Sequence, residues 1–285
     1  MKTIGFIDYY LGEWHALNYP AWIGEAAARM GLDYKLAYAW AEREDSLAYP
    51  DKTSSGYCAE FGVERCETIE ELCEKSDVIV ILAPTDPEKH LGYAEVALRY
   101  GKPTYIDKTF APDLATAKEI FAIAERYGTP FFSSSALRYA TELGAYENCR
   151  QMIVTGSGSN LAEYVIHHVE MAVKKLGVGA VALKAEQFGA QVYLHVQYPD
   201  DRTATLIFAR SLPYSLYMAD GRPDGARPVT VKVDSPFFAG LIEDMLRFFE
   251  EKIPSFDPKE TLEVMAIREA AVRAASHLGE WIPVG

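Results

Sequence analysis

From the first residue to about 135, short apolar runs and helix-like stretches alternate, and no other feature of the sequence restricts the fold as much. Strand-like IGFID (4–8) leads to a helical stretch around 21–30, with Gly31 as its stop, and YKLAYAWA (34–41) is a second strand. Helical pattern resumes near 68–75. DVIVILAP (77–84) is then an unbroken apolar run that reads as a strand buried on both faces. A helix over roughly 88–100 ends at Gly101, and PTYID (103–107) follows as a strand. Asp113 can cap LATAKEIFAIAERY (114–127), Gly128 stops it, and PFFSSS (130–135) is a further strand. Strands joined by helices through short connections give an α/β fold with a doubly wound parallel sheet.

The pattern changes from about residue 180. ALKAEQF (182–188), AQVYLHVQY (190–198), TATLIFAR (203–210), YSLYMA (214–219) and VTVKVD (229–234) are successive strand candidates separated by turn signals such as PDD and DG. They predict a mostly antiparallel sheet. Two helices close the chain, over 235–252 with Ser235 as cap and over 258–278 with Gly279 beyond it. Two domains are therefore expected, 1–140 and 141–285, the boundary resting on the change of pattern alone.

The formal net charge of −13, from 28 basic and 41 acidic side chains, argues against nucleic acid or an anionic membrane as the main partner and favours a small molecule. The longest apolar stretch, VIVILA, is far short of the about 20 residues that span a bilayer. Asp8 and Glu13 interrupt any signal-peptide core, so the expected location is the cytoplasm. Cys58, Cys66, Cys73 and Cys149 form no C-x-x-C pair and are read as reduced thiols.

Three stretches carry a resemblance to a known family. The run from Ser76 to Phe132 contains DKT at 107–109, EYVIHHVEMAVKKLG occupies 163–177, and LIEDMLRFFEEKIPSFDPKETLEVMAIREAAVRAASHLGEWIPV closes the chain. Together, and in this order, they resemble the glucose-fructose oxidoreductase, inositol dehydrogenase and rhizopine catabolism (Gfo/Idh/MocA) family, with its acidic-Lys-Pro motif and its Asp-x-x-x-His helix. The resemblance implies a Rossmann domain that binds NAD or NADP, followed by an α+β domain that binds substrate. It further implies a sugar, inositol or related polyhydroxy substrate and a homo-oligomer formed through the second sheet.

Lys108 stands at the lysine of the family motif, after strand PTYID and at the carboxyl edge where open α/β sheets place their ligands. An ammonium there can stabilise an oxygen as its proton leaves. Thr109 replaces the family's proline. Glu163, His167, Glu170 and Lys174 share one helical face, as they also would on a plain solvated helix. The resemblance makes His167 the catalytic imidazole, of a type that titrates near neutrality, and Glu163 its orienting partner in place of aspartate. His168 is the alternative imidazole, pointing about 100° away. A metal bound by Glu163, His167 and His168 is disfavoured because adjacent histidines diverge and no third ligand has suitable spacing. His195 and His277 read as structural or exposed. Asp86 and His90, in the loop after DVIVILAP, are secondary candidates beside a cofactor, and Pro84 and Asp107 at strand ends are assigned to cofactor binding.

The segment IGFIDYYLGEWH departs from the pattern. A dinucleotide turn uses glycines so that the pyrophosphate can approach the backbone and rest on the next helix. Here Asp8 and Tyr10 stand at the first two glycine positions and Gly12 approximates the third. A carboxylate about 4 Å from a phosphate, at an effective dielectric of about 20, costs on the order of 4 kcal/mol, nearly a thousandfold in affinity. Glu42 after the second strand could still accept ribose hydroxyls, and Arg43 leaves room for a 2′-phosphate. Two readings follow: an NAD(P)-dependent oxidoreductase of polyhydroxy compounds, or a ligand-binding or scaffold relative that has lost the dinucleotide. The first is favoured because Lys108 and His167 are both present.

Overall fold

The structure, a computed structural model, describes every residue of the chain except 223 and 224. It divides into two compact units, Met1–Ser134 with Leu241–Phe256, and Ser135–Gly240 with Asp257–Gly285.

The first unit alternates as expected: β1 (Lys2–Asp8), α1 (Trp14–Met30), β2 (Tyr34–Ala41), α2 (Ser54–Phe61), β3 (Glu64–Arg65), α3 (Ile69–Lys75), β4 (Val78–Ile81), α4 (His90–Ala97), β5 (Thr104–Ile106), α5 (Leu114–Tyr127) and β6 (Phe131–Phe132). The strands are parallel and ordered β3-β2-β1-β4-β5-β6. This is the order of a doubly wound Rossmann sheet, in which the direction of winding reverses between β1 and β4. All four residues of β4 are buried, as an unbroken apolar run at the centre of such a sheet requires.

The helix α1 begins a full two turns before the stretch its sequence suggested. Pro20 lies inside it and cannot donate to the Ala16 carbonyl one turn back. The Tyr57 hydroxyl donates to that carbonyl instead, at 2.9 Å, so the helix continues through the proline. The helix α2 and the short β3, absent from the sequence reading, owe their place to this packing and to the Thr53 cap, whose hydroxyl accepts the Gly56 amide.

The second unit contains β7 (Gln151–Ser157), α6 (Leu161–Leu176), β8 (Ala182–Phe188), β9 (Gln191–Gln197), β10 (Thr203–Ala209), β11 (Ser215–Ala219) and β12 (Val229–Lys232). The helices α7 (Phe237–Glu251) and α8 (Pro258–Ala275) and the strand β13 (Trp281–Pro283) follow. Its sheet runs β12-β11-β7-β10-β9-β8-β13, antiparallel throughout except where β10 pairs with β7 in parallel. Alternate residues of β10 and β11 are buried, matching one covered face.

The expected split at residue 140 is corrected in two ways. The boundary falls between Ser134 and Ser135, and residues 241–256, expected in the second domain, belong to the first unit. Aromatic packing explains the return: Phe248 lies 4.9 Å from Phe132 and Phe249 lies 6.1 Å from Tyr34, centroid to centroid. The ion pairs Lys2–Glu250 and Arg29–Glu243 flank that contact. Ser235 does not cap α7 with its side chain. Its hydroxyl donates to Glu142 and accepts the Thr141 amide. All four cysteines are buried and free. Among the described residues no helix is long and apolar enough to cross a membrane.

Candidate functional site

The carboxyl ends of β1, β4 and β5 meet at the point where the winding reverses, and most of the first unit's candidate residues stand there. Asp8 ends β1 and is only 1% exposed. Its Oδ1 accepts the amides of Tyr9 at 2.7 Å and Ala83 at 3.0 Å, while Oδ2 is buried without a hydrogen-bond partner among the described residues. Ala83 has a φ of 55°, which a residue with a Cβ seldom adopts, and the bond to Asp8 anchors its amide in that orientation. Burial pushes the Asp8 carboxyl well above its usual range, and the neighbouring Glu13 carboxyl adds to the shift.

Glu13, to which the sequence reading gave no role in the site, is the N-cap of α1. Its carboxylate accepts the amide of His15 at 2.7 Å and that of Ala16. It is 4% exposed, and burial raises its pKa although His15 and the two amides oppose the rise. Next to it, His15 Nδ1 lies 2.8 Å from Asp107 Oδ2. The Tyr105 hydroxyl stands 2.9 Å and the Tyr19 hydroxyl 3.4 Å from Asp107 Oδ1. Burial disfavours charge on Asp107, but His15, Lys108 and Tyr105 outweigh it and hold the pKa down to about 2. Asp107 is thus a buried carboxylate bound to its own chain.

Lys108 follows directly at the strand end. Its Nζ donates to the Pro84 carbonyl at 3.2 Å, and its peptide bond to Thr109 is cis. Pro84 therefore contributes a carbonyl to Lys108. Tyr10 is buried, its ring 5.7 Å from that of Tyr9. Lys89 and Arg43 lie over the Tyr9 ring at 4.5 Å and 5.6 Å.

Gly12 and Glu42 are both engaged by the chain itself. A Cβ on Gly12 would come within 2.7 Å of Lys52 and 2.8 Å of Ser46, and the Gly12 carbonyl accepts the Ser46 hydroxyl at 2.5 Å. The missing side chain lets the 46–52 loop, not a ligand, approach the turn. Glu42, expected to face ribose hydroxyls, accepts Lys89 Nζ at 2.6 Å and the Tyr93 hydroxyl at 2.8 Å. Asp86 accepts the Thr85 hydroxyl at 2.9 Å. His90 is fully buried, with Nδ1 3.0 Å from the Phe110 carbonyl and Nε2 2.5 Å from that of Leu82, and so braces two loops. For a dinucleotide the turn has no glycine cradle, and carboxylates line it.

In the second unit, α6 begins at Asn160, whose side chain accepts the Glu163 amide at 2.9 Å. The Glu163 carboxylate accepts Asn160 Nδ2 at 3.0 Å. The residue that meets His167 Nδ1 is Ser135, at 2.6 Å, and it takes the orienting place expected for Glu163. A hydroxyl can donate or accept, so Ser135 can hold the ring in either tautomer. His168 is fully buried against Phe208 and Tyr214, and burial lowers its pKa to about 4. It serves as a neutral core residue.

Glu170, on the helical face expected to carry Glu163, His167 and Lys174, is buried and accepts Arg138 Nη1 at 3.0 Å and the Ser135 amide at 3.2 Å. Arg138 also donates to Glu260 at 2.5 Å. Lys174 and Lys175 line a cavity of about 430 Å³ with Tyr139, Thr141 and Leu143. His195 is half-buried beside Glu186 and Thr205, and His277 is exposed, as expected. His167 belongs to the second unit and Lys108 to the first.

The Rossmann strand order, with a lysine at the carboxyl edge of β5, defines the class: an α/β protein built on the dinucleotide-type fold. Residues 35–134 match the model of the oxidoreductase family with NAD-binding Rossmann fold, Gfo/Idh/MocA. The matched part contains Lys108 and Glu42 and begins after Asp8, Gly12 and Glu13. A 66-residue stretch is 38% identical to YhhX, an uncharacterised oxidoreductase of Escherichia coli K12, and covers 22% of this chain and 19% of the relative.

Solved structures share the whole fold. UDP-N-acetylglucosamine 3-dehydrogenase of Acidithiobacillus ferrooxidans superimposes with a TM-score of 0.74 at 16% identity over 97% of each chain. An aldose-aldose oxidoreductase of Caulobacter crescentus gives 0.71 at 16% identity, over 99% of this chain and 100% of the other. Scyllo-inositol dehydrogenase of Lactobacillus casei gives 0.71 at 14% identity, over 100% of this chain and 98% of the other. At these identities the likeness is one of fold.

Proposed function

We propose that this chain is a ligand-binding relative of the sugar and inositol oxidoreductases, one that takes a polyhydroxy compound without a dinucleotide on its first turn. Lys108, at the carboxyl edge of the first sheet, holds a ligand oxygen by a charge-assisted hydrogen bond. His167, with Nδ1 on Ser135, offers its other ring nitrogen to a ligand hydroxyl as a hydrogen-bond partner. The observation that carries the reading is the inward use of the dinucleotide turn: Asp8, Glu13 and Glu42 all spend their carboxylates on the chain itself. The names of the neighbours, which act on nucleotide sugars, aldoses and inositol, support the ligand class.

NAD(P)-dependent oxidation of the same compounds is the second reading. Its support is the family match over 35–134, which includes Lys108. A panel of inositols, aldoses, aldonates and nucleotide sugars, assayed by calorimetry and by nicotinamide absorbance with NAD and NADP, separates the two. Saturable binding of a panel member, weakened tenfold or more in Lys108→Ala and His167→Ala, with no change in absorbance, is expected. Turnover of nicotinamide in the wild type would establish the second reading instead.

A further inference from the structure

Four amides between the end of β1 and the first turn of α1 donate to side chains of the chain itself. Tyr9 donates to Asp8 Oδ1 at 2.7 Å, Leu11 to Ser54 Oγ at 3.2 Å, and His15 and Ala16 to Glu13. The last two belong to the first turn of α1, whose N–H groups have no carbonyl of the same helix to meet and which, with the helix dipole, is where this fold binds a phosphate. Glu13 puts an anion of its own on them.

The charge balance around this anion follows the same logic. Asp8 and Asp107 are its acidic neighbours, and His15 lies between Glu13 and Asp107. One imidazole and the nearby Lys108 thus face three carboxyl groups that are each less than 5% exposed. A pyrophosphate would add negative charge to a buried site that already has an excess of acid. The third contact, the ribose acid, is engaged too, since Glu42 holds Lys89 and Tyr93.

We infer that Glu13 is a built-in substitute for the phosphate that the first helix of this fold otherwise binds, and that it excludes dinucleotides from the turn between β1 and α1. The inference rests on the reading that no dinucleotide occupies the first turn and deepens it by naming the residue responsible; dinucleotide binding to the wild type would sink both, whereas indifference of the Glu13 variants to pyrophosphate would sink only the role of Glu13.

The experiment uses the full chain with inorganic pyrophosphate, NADH and NADPH as probes, read by thermal unfolding and by energy transfer from tryptophan to nicotinamide. Wild type is expected to be unmoved by any of the three at millimolar concentration. Glu13→Ala vacates the two amides, and pyrophosphate should raise its unfolding temperature by about 2 to 4 °C. Glu13→Ser replaces the long acid by a short uncharged cap, leaves the place of the carboxylate open and should respond in the same direction. It keeps the test valid should the alanine variant fail to fold. Saturable transfer from wild type to NADH or NADPH would overturn the inference. So would equal stabilisation of wild type and variants by pyrophosphate, or no stabilisation of either folded variant.

Discussion

The two units each bury a cluster of charged groups, and they neutralise it by different means. In the second unit a guanidinium lies between two carboxylates: Arg138 meets Glu170 at 3.0 Å and Glu260 at 2.5 Å, and the Ser135 amide takes the remaining oxygen of Glu170. The first unit has three acids, Asp8, Glu13 and Asp107, with the His15 imidazole set against Asp107 and backbone amides as the other donors. Burial works against the acids of both clusters: it raises the Glu170 carboxyl although Arg138 and the Ser135 amide oppose the rise, just as it raises Asp8 and Glu13. What differs is the donor, a guanidinium fork that serves two carboxylates at once in the second unit and separate backbone amides with one imidazole in the first.

The largest test of this contrast is Arg138→Met. It leaves Glu170 buried without its cation and should destabilise the second unit by about 3 to 5 kcal/mol, read by urea denaturation followed with a probe in that unit. A loss below about 1 kcal/mol would mean that the network is not held by the arginine.

Acid provides the next test. His168 is buried and neutral, with its pKa lowered from 6.5 to about 4. Between these values the unfolded chain binds the proton that the folded chain refuses, so stability falls as pH drops from 6.5 towards 4, by roughly 3 kcal/mol in total. His168→Gln should flatten this part of the profile. An unchanged slope would remove His168 as its source.

The first unit should respond in the opposite sense through Asp8. A folded-state pKa above the ordinary 3.8 means that the folded chain retains a proton the unfolded chain has released. That contribution is full below the unfolded value and is lost as pH rises through the folded one. Asp8→Asn should make the first unit less sensitive to rising pH. Asp107, held down to about 2, works the other way, and its contribution is lost only as pH falls through that value.

The smallest effect is expected at Ser135. Ser135→Ala removes the hydroxyl from His167 Nδ1 and should cost about 1 kcal/mol of stability. It should also shift the pH dependence of ligand binding, which a merely structural hydroxyl would leave in place.

Much of the fold was legible because its signals are local. The apolar run of β4, the left-handed stops at Gly31, Gly101 and Gly128, and the Asp113 cap of α5 each depend on a few adjacent residues. The carboxyl-edge position of Lys108 follows from the strand before it. The departure at Asp8 and Tyr10 was legible too, since it consists of side chains where glycines are needed. The start of α1 was not, because the hydroxyl that satisfies Ala16 belongs to Tyr57, 41 residues away.

The sequence by itself thus determined the order of elements, the parallel sheet and the loss of the glycine turn. Only the tertiary structure decided what fills that turn and what holds the imidazole. Asp107, just past β5, meets His15 in the first turn of α1, and Arg138 meets Glu260 over 122 positions of chain. Such pairs leave no periodicity to read, because their partners are chosen by the path of the backbone and by the cost of burying a charge unpaired. Glu13 illustrates the limit: in sequence it is one acid before a helix, and only its burial over the amides of His15 and Ala16 shows its carboxyl group filling the turn.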